Sequence, residues 1–289
     1  MSYVLETENL TYIYGAGTPF QTTALDNVSV GIEAGELLAI IGHTGSGKST
    51  LIQHFNGILS PTSGRVMLDG KDIWSDKKNI RSVRFRVGLC FQYPEYQLFE
   101  ETVYKDIAFG PRNMGLGNTE IDERVREAAE YVGLKQIHLD ASPFDLSGGE
   151  KRRAAIAGVI AMRPEILILD EPTAGLDPAG RDAILNLVKN YREQTGATVI
   201  VVSHSMEDVA QIATKVMVVH DARVAMYGTV EEVFSHAEEL VQMGLNVPQI
   251  TQVFSRLNHL GYPVPKNIYT VEQGRRTLLD LLGRGDQID

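Results

Sequence analysis

The sequence predicts an α/β fold, a parallel sheet covered by helices. Short β-type runs alternate with helical patterns along most of the chain. A glycine-rich segment, Gly42–Thr50, joins an apolar strand to an amphipathic helix. After Thr229 the strand signals stop and helix-start signals take over.

The elements follow in order. Glu36–Gly42 reads as a buried strand and Lys48–Phe55 as the helix after it. Further strands are expected at Arg65–Leu68, Val87–Gln92, Glu165–Asp170, Thr198–His204 and Lys215–His220. Helices are expected at Glu120–Val132, Gly148–Met162 and Pro178–Gln194. Glu95–Gly158 holds no convincing strand and reads as a helical insertion between two strands of the sheet. Beyond it, Thr229-Val-Glu-Glu232 and Thr270-Val-Glu-Gln273 are capping boxes, each opening a helix. Between them, Pro248 fits the first position of a helix whose apolar residues are Ile250, Val253, Phe254, Leu257 and Leu260, with Gly261 able to end it. That face is expected to be buried, on the core or against a partner. The expected division is 1–229 for the main domain, with 95–158 as its helical part, and 230–289 for a C-terminal helical extension.

Composition narrows the function. At 289 residues, 43% hydrophobic and 22% charged, the chain has the material for a globular core and is not a disordered polymer. It carries 27 basic and 37 acidic residues, net −10, which argues against a nucleic-acid partner. The single cysteine, Cys90, rules out a disulfide framework and reads as a buried core thiol. No apolar run reaches membrane-spanning length, and Met1–Leu10 shows no signal-peptide pattern. The chain is therefore expected in the cytosol, meeting a membrane only through partners.

The chemistry starts at Gly42-His43-Thr44-Gly45-Ser46-Gly47-Lys48-Ser49-Thr50, which matches G-x-x-x-x-G-K-[ST]. Glycines let the backbone curl so that its N–H groups face phosphate oxygens, and the helix that follows adds its positive end. Lys48 is placed to neutralise β- and γ-phosphates, and Ser49 to offer its hydroxyl to Mg²⁺. Such a loop needs a carboxylate for the metal. Asp170 emerges at the end of the apolar run Ile166–Leu169, with Glu171 beside it, where it could polarise an attacking water. Leu146-Ser147-Gly148-Gly149-Glu150 opens a helix 20 residues or so before Asp170 and offers a second anion site.

Together these motifs resemble the ATP-binding-cassette (ABC) transporter ATPases, over about Val4–Thr229. The resemblance implies a P-loop NTPase cassette: a RecA-like parallel-sheet core, an antiparallel β subdomain and a helical subdomain bearing the Leu146–Glu150 signature. It implies that Gln92 contacts Mg²⁺ and senses the γ-phosphate. It makes Asp177, in Gly175-Leu-Asp177-Pro, part of a loop at the nucleotide and His204 the switch histidine. It sets Tyr14 against adenine, with Tyr12 as a competitor. Two subunits would face head to tail, each ATP lying between one P-loop and the other's signature. The family's commonest signature ends in glutamine, whereas this one ends in Glu150, a carboxylate that can still accept from ribose hydroxyls.

Phe91-Gln-Tyr-Pro-Glu-Tyr-Gln-Leu-Phe-Glu-Glu-Thr-Val103 and Asp106–Pro111 are similar to the ATPases of energy-coupling factor (ECF) importers. Those importers take up vitamins or transition-metal ions through a membrane T component and interchangeable S components. Gly15–Phe20, His43 and Gln97–Glu101 look like the second of the two paired ATPases. On this reading the chain is an ATPase on the cytoplasmic membrane face. Tyr93, Pro94, Tyr96, Leu98 and Phe99 would form an apolar docking groove, rimmed by Glu95, Glu100, Glu101 and Asp106, for a T-component helix carrying arginines. The alternatives are a conventional ABC importer or exporter subunit and a soluble ABC mechanoenzyme.

Overall fold

A computed structural model describes residues 3–265 and 267–282. Residues 283–289, the end of the expected extension, lie outside that range, as do Met1 and Ser2. Among the described residues ten strands form two sheets. β1 (Tyr3–Tyr14), β2 (Thr22–Glu33), β4 (Ser63–Leu68) and β5 (Lys71–Asp72) make an antiparallel sheet in the order β2-β1-β4-β5. β3 (Leu37–Ile41), β6 (Val87–Cys90), β7 (Ile166–Asp170), β8 (Thr198–Val202), β9 (Lys215–His220) and β10 (Arg223–Thr229) make the second, ordered β10-β9-β3-β8-β7-β6. Within it β9, β3, β8, β7 and β6 run parallel, and β10 pairs antiparallel with β9.

The helices are α1 (Lys48–Phe55), α2 (Ile80–Arg86), α3 (Val103–Asn113), α4 (Asn118–Tyr131), α5 (Gly148–Ile160), α6 (Pro178–Thr195) and α7 (Met206–Ile212). The C-terminal part adds α8 (Val230–Ser235), α9 (Ala237–Gln242), α10 (Gln249–His259) and α11 (Val271–Leu281). The parallel strands are buried on both faces, which is why they read as unbroken apolar runs. Alternation divides their side chains. Leu37, Leu167, Leu169, Val199 and Val201 face the core shared with α3–α6. Leu38, Ile40, Ile166, Ile168 and Ile200 face α1 and the antiparallel sheet. Cys90 sits in the core shared with α3–α6, and burial pushes its thiol up to about 12, so it is an unreactive apolar filler.

β1, β2 and β10 carried no strand signal strong enough to assign from residue pattern alone. Polar residues interrupt β1 and β2, and Asn9 and Asn27 take positive φ where the β1–β2 register shifts. The expected strand-free insertion is found: between β6 and β7 lie only α3, α4, α5 and short 3₁₀ turns.

The C-terminal helices do not stand apart from the sheet. Val233, Phe234, Leu240, Leu245, Val247 and Tyr269 bury against Ala39, Ile41, Val216 and Val218, on the same side of β3 as Leu37. Both capping boxes form, Thr229 with Glu232 and Thr270 with Gln273. Pro248 is the residue before α10 rather than its first residue. Of that apolar face only Phe254 is fully buried. Ile250 and Leu257 are partly covered, whereas Val253 is 50% and Leu260 67% exposed. Within one chain, then, the expected buried face is half open: Val264, Ile268 and the α11 residue Gly274 cover its Ile250–Phe254 side and leave Val253 and Leu260 outside.

Candidate functional site

The carboxyl ends of β3, β7 and β8 bring the expected residues together. The loop leaving β3 is held tightly against its surroundings. A Cβ on Gly42 would lie 2.2 Å from the Val219 carbonyl, and one on Gly47, at φ 111°, 2.4 Å from the Ala24 carbonyl. Only glycine fits either place. Lys48 donates from Nζ to the carbonyls of Gly42 (2.6 Å) and His43 (2.9 Å), so its ammonium bridges the start of the loop. Burial pulls the Lys48 pKa down, against the raising pull of Glu171 and Asp170. Ser46 Oγ is buried with no hydrogen-bond partner among the described residues. Ser49 Oγ donates to Asp170 Oδ2 at 3.2 Å, joining the first turn of α1 to the end of β7.

Tyr14 is 43% exposed and shares a 3.3 Å hydrogen bond with Thr50 Oγ1. Tyr12 packs edge-on to both Tyr14 and His54 and supports the core. Of the two rings, Tyr14 is the open one. Gln92 is exposed two residues beyond Cys90, whose strand pairs with β7, so it lies at the same edge as Asp170.

Glu171 sits at φ 50°, a sharp turn for a residue with a side chain, and its N–H donates to the Val202 carbonyl at 3.0 Å. The turn sends its carboxylate toward His204. The His204 backbone N–H approaches Glu171 Oε2 at 3.4 Å, and its Nε2 lies 3.2 Å from Oε1. Burial pushes the Glu171 carboxyl up to about 7; neighbouring Asp170 adds to this, and the His204 N–H and Lys48 oppose it. Burial raises Asp170 too, against the Ser49 bond and Lys48. Burial and the Lys48 charge lower His204. The site thus holds a carboxyl poised near neutrality beside a histidine biased toward its neutral form.

The price of that poise is a stability effect of definite sign. A carboxyl whose folded pKa is about 7 instead of the usual 4.5 opposes folding when ionised, fully above pH 7 and not at all below 4.5. Glu171→Gln should therefore melt a few degrees higher than the parent near pH 8, with the gap closing as pH falls through 7 toward 4.5. Thermal melts of the nucleotide-free chain at the two ends of that range check it. A gap independent of pH would contradict the burial argument.

Several expected contacts fall elsewhere. The His43 ring turns away from Lys48 to the β9–β10 turn, 5.3 Å from the His220 ring, leaving only its backbone in the loop. Ser147 spends its N–H and hydroxyl on its own Glu150, through a capping box at the start of α5. The negative side chain at N3 is the nearest acceptor, so of the expected anion donors Gly148 and Gly149 keep their N–H groups at the first turn. Glu150 also lies 3.5 Å from His138. Asp177 caps α6, accepting from Gly180 N–H at 2.9 Å.

The acidic rim is smaller than expected. Asp106 is buried and accepts the N–H groups of Phe99 and Glu100, both at 3.2 Å. Glu95 is held by Arg152 at 2.8 Å. Only Glu100 and Glu101 remain at the surface, Glu101 paired with Lys105. Beside them is a groove of about 410 Å³ between the sheet core and the helical insertion. Leu98 and Phe99 line it as expected, but Pro94 is buried, and Phe85, Phe91, Phe109 and Met162 replace Tyr93 and Tyr96.

Two supports escaped the sequence reading. Arg152, 3% exposed, binds Glu95 and donates to the carbonyls of Pro172 (3.2 Å) and Ala174 (2.7 Å). It shares a helical face with Ile156 and Ile160, and that phase was the available signal. Asp208, on α7, accepts from Thr173 Oγ1 at 2.8 Å and from Arg181, bracing the segments after Glu171 and His204. Nothing in its local pattern separates it from a surface acid.

Comparison with known proteins fits this geometry. Residues 25–174 match the ABC transporter family. The chain is 53% identical to the energy-coupling factor transporter ATP-binding protein EcfA2 of Clostridium acetobutylicum, over 96% of this chain and 98% of that one. It is 54% identical to the EcfA2 of Symbiobacterium thermophilum over 92% of each. Among solved structures, cbiO1 from Clostridium perfringens, part of the ABC transporter complex cbiONQ, superimposes with a TM-score of 0.75 at 40% identity, covering 90% of this chain and 99% of that one. The ATP-binding cassette MJ0796, solved as a dimer bound to ADP and Pi, gives 0.70 at 27% identity, covering 78% and 98%.

Proposed function

The chain belongs to the ABC transporter ATPases, among the ATP-binding subunits of energy-coupling factor transporters, and from that premise we propose that it powers solute uptake by hydrolysing ATP beneath a membrane T component. The observation that carries the reading is the junction of Ser49, Asp170, Glu171 and His204 at one sheet edge. Lys48 gives up its two carbonyl contacts to the β- and γ-phosphates, and the unpartnered Ser46 hydroxyl and the loop N–H groups complete the phosphate cradle. Ser49 and Asp170 form an oxygen donor set suited to Mg²⁺, which when bound neutralises phosphate oxygens, with Gln92 at the same edge. Tyr14 offers a ring face to adenine. Glu171 takes the proton of the attacking water, and His204 holds Glu171 from one side and contacts the γ-phosphate.

A second ATPase, a homologue or another copy, faces the first head to tail, so that the Gly148 and Gly149 N–H groups of one meet the nucleotide on the other. Glu150 is already engaged by Ser147, so these backbone donors carry that contact. The assembly sits on the cytoplasmic membrane face and serves T and S components for vitamins or transition-metal ions.

The T component docks in the groove lined by Leu98, Phe99 and Phe109, with its basic residues at Glu100 and Glu101. Glu100→Lys with Glu101→Lys should cut recovery of the chain with its membrane complex severalfold while nucleotide binding by the free chain is unchanged. Co-purification alongside nucleotide titration tests this. Normal assembly and uptake by the double variant would remove the acidic pair from the docking contact. Failure of the unaltered chain to support ATP-dependent uptake with T and S components would overturn the functional reading itself.

A further inference from the structure

We propose that His43, His220 and Asp221 bind a borderline first-row dication of the Zn²⁺ type, clipping the phosphate-binding loop to the β9–β10 turn. One ligand atom from each lies within 4.8 Å of the others. His220 Nε2 is 3.4 Å from one Asp221 carboxylate oxygen, and His43 Nε2 is 3.8 Å from the other. Bonds of about 2.0–2.2 Å to a shared tetrahedral ion would place neighbouring ligand atoms about 3.3–3.6 Å apart, so the two contacts to Asp221 nearly fit and a pair at the 4.8 Å limit would close by roughly 1 Å. The Asp221 side chain, 80% exposed, can make the adjustment without disturbing the core.

The ring environments favour the same reading. His43 Nδ1–H donates to the Thr44 carbonyl at 2.9 Å, which leaves the Nε2 lone pair directed into the cluster. A backbone carbonyl on the far nitrogen is the usual outer support of a metal-binding imidazole. His220 presents its Nε2 to Asp221 at 3.4 Å, while its Nδ1 is buried and has no hydrogen-bond partner among the described residues, so the outer support of this site comes from His43 alone. Two imidazoles and one carboxylate select Zn²⁺, Co²⁺ or Ni²⁺ over Mg²⁺, which prefers oxygen donors. The site is chemically distinct from the Ser49–Asp170 pair, and it stands independently of the transport reading.

The turn is built to hold Asp221 where it is. Asp221 (φ 47°) and Ala222 (φ 64°) are consecutive left-handed residues, a two-residue hairpin in which glycine is usual and neither is glycine. Ala222 N–H donates to the Ser46 carbonyl at 3.2 Å, and its carbonyl accepts from Asp26 N–H at 2.8 Å. The backbone thus already docks the hairpin on the loop, and the metal adds a side-chain brace to that contact.

The test is a titration of the metal-free full chain with Zn²⁺, without nucleotide and with excess Mg²⁺, by calorimetry. Co²⁺ absorption then reports the ligand field. One-to-one binding that persists in Mg²⁺ is expected, weakened about 10- to 100-fold or more by His220→Gln and by Asp221→Asn, and unchanged by His236→Gln. Zn²⁺ should also slow amide exchange across residues 42–47 and 219–223 of the unaltered chain, a readout that does not depend on any variant folding. No saturable binding, equal affinity in His220→Gln, or protection confined to another region would each overturn the site.

Discussion

Glu171→Gln should lower ATP turnover by the assembled complex about 10²- to 10⁴-fold, the range for loss of a positioned general base. The amide keeps the shape and can still accept from the His204 N–H, so the turn after β7 is preserved. It cannot take a proton. ATP affinity should be nearly unchanged, because Lys48, Ser49 and the loop donors are untouched. Nucleotide-joined ATPase pairs should accumulate, since binding proceeds and hydrolysis does not. In the parent, burial holds the carboxyl near 7, so the rate should climb between about pH 6 and 8 as the base form fills, and the variant should lose that limb. Single-turnover hydrolysis across this range, with equilibrium nucleotide titration, checks both parts. Turnover within threefold of the parent would remove Glu171 from the chemistry.

The place of Glu171 was visible in the sequence because the surroundings are regular. A strand buried on both faces must be continuous in apolar residues, so Ile166–Leu169 announced where Asp170 and Glu171 would emerge. The same physics exposed Val87–Cys90 and Thr198–Val202, and with them Gln92 and His204. The antiparallel strands were hidden because their outer faces are polar and bulged, as at Asn9 and Asn27. The roles of acids were least legible. Asp106, Glu95 and Asp208 look like solvated charges in the sequence, yet each turns inward to a partner distant in the chain or across a loop. Such pairing depends on tertiary approach, which local pattern does not encode. His43 is similar: its place in the loop was evident, but the direction of its ring depends on a hairpin 180 residues or so away.

Arg152→Ala should destabilise the chain by about 3–5 kcal/mol, the usual cost of removing one partner from a buried ion pair. Burial pushes the Glu95 carboxyl up, but the Arg152 hydrogen bonds and charge hold it below its ordinary value. Without the guanidinium, a carboxylate only 17% exposed loses its cation, and the Pro172 and Ala174 carbonyls lose a donor. The effect should be local first. Arg152 is the tie between α5, the turn carrying Glu95 and the segment directly after Glu171. Amide exchange should therefore quicken in 93–98 and 147–153 before the sheet opens. Arg152→Lys should recover only part of the loss, since an ammonium cannot reproduce a fork that spans a carboxylate and two carbonyls. Nucleotide affinity of the free chain should stay within about threefold, because no phosphate contact is altered. Turnover in the complex should fall further than affinity, as α5 would no longer hold its first turn in register with Glu171. Denaturant titration of Glu95→Ala, Arg152→Ala and the double variant measures the pair, and coupling above about 1 kcal/mol is expected. Additive single effects would mean that the two side chains are neighbours without being partners.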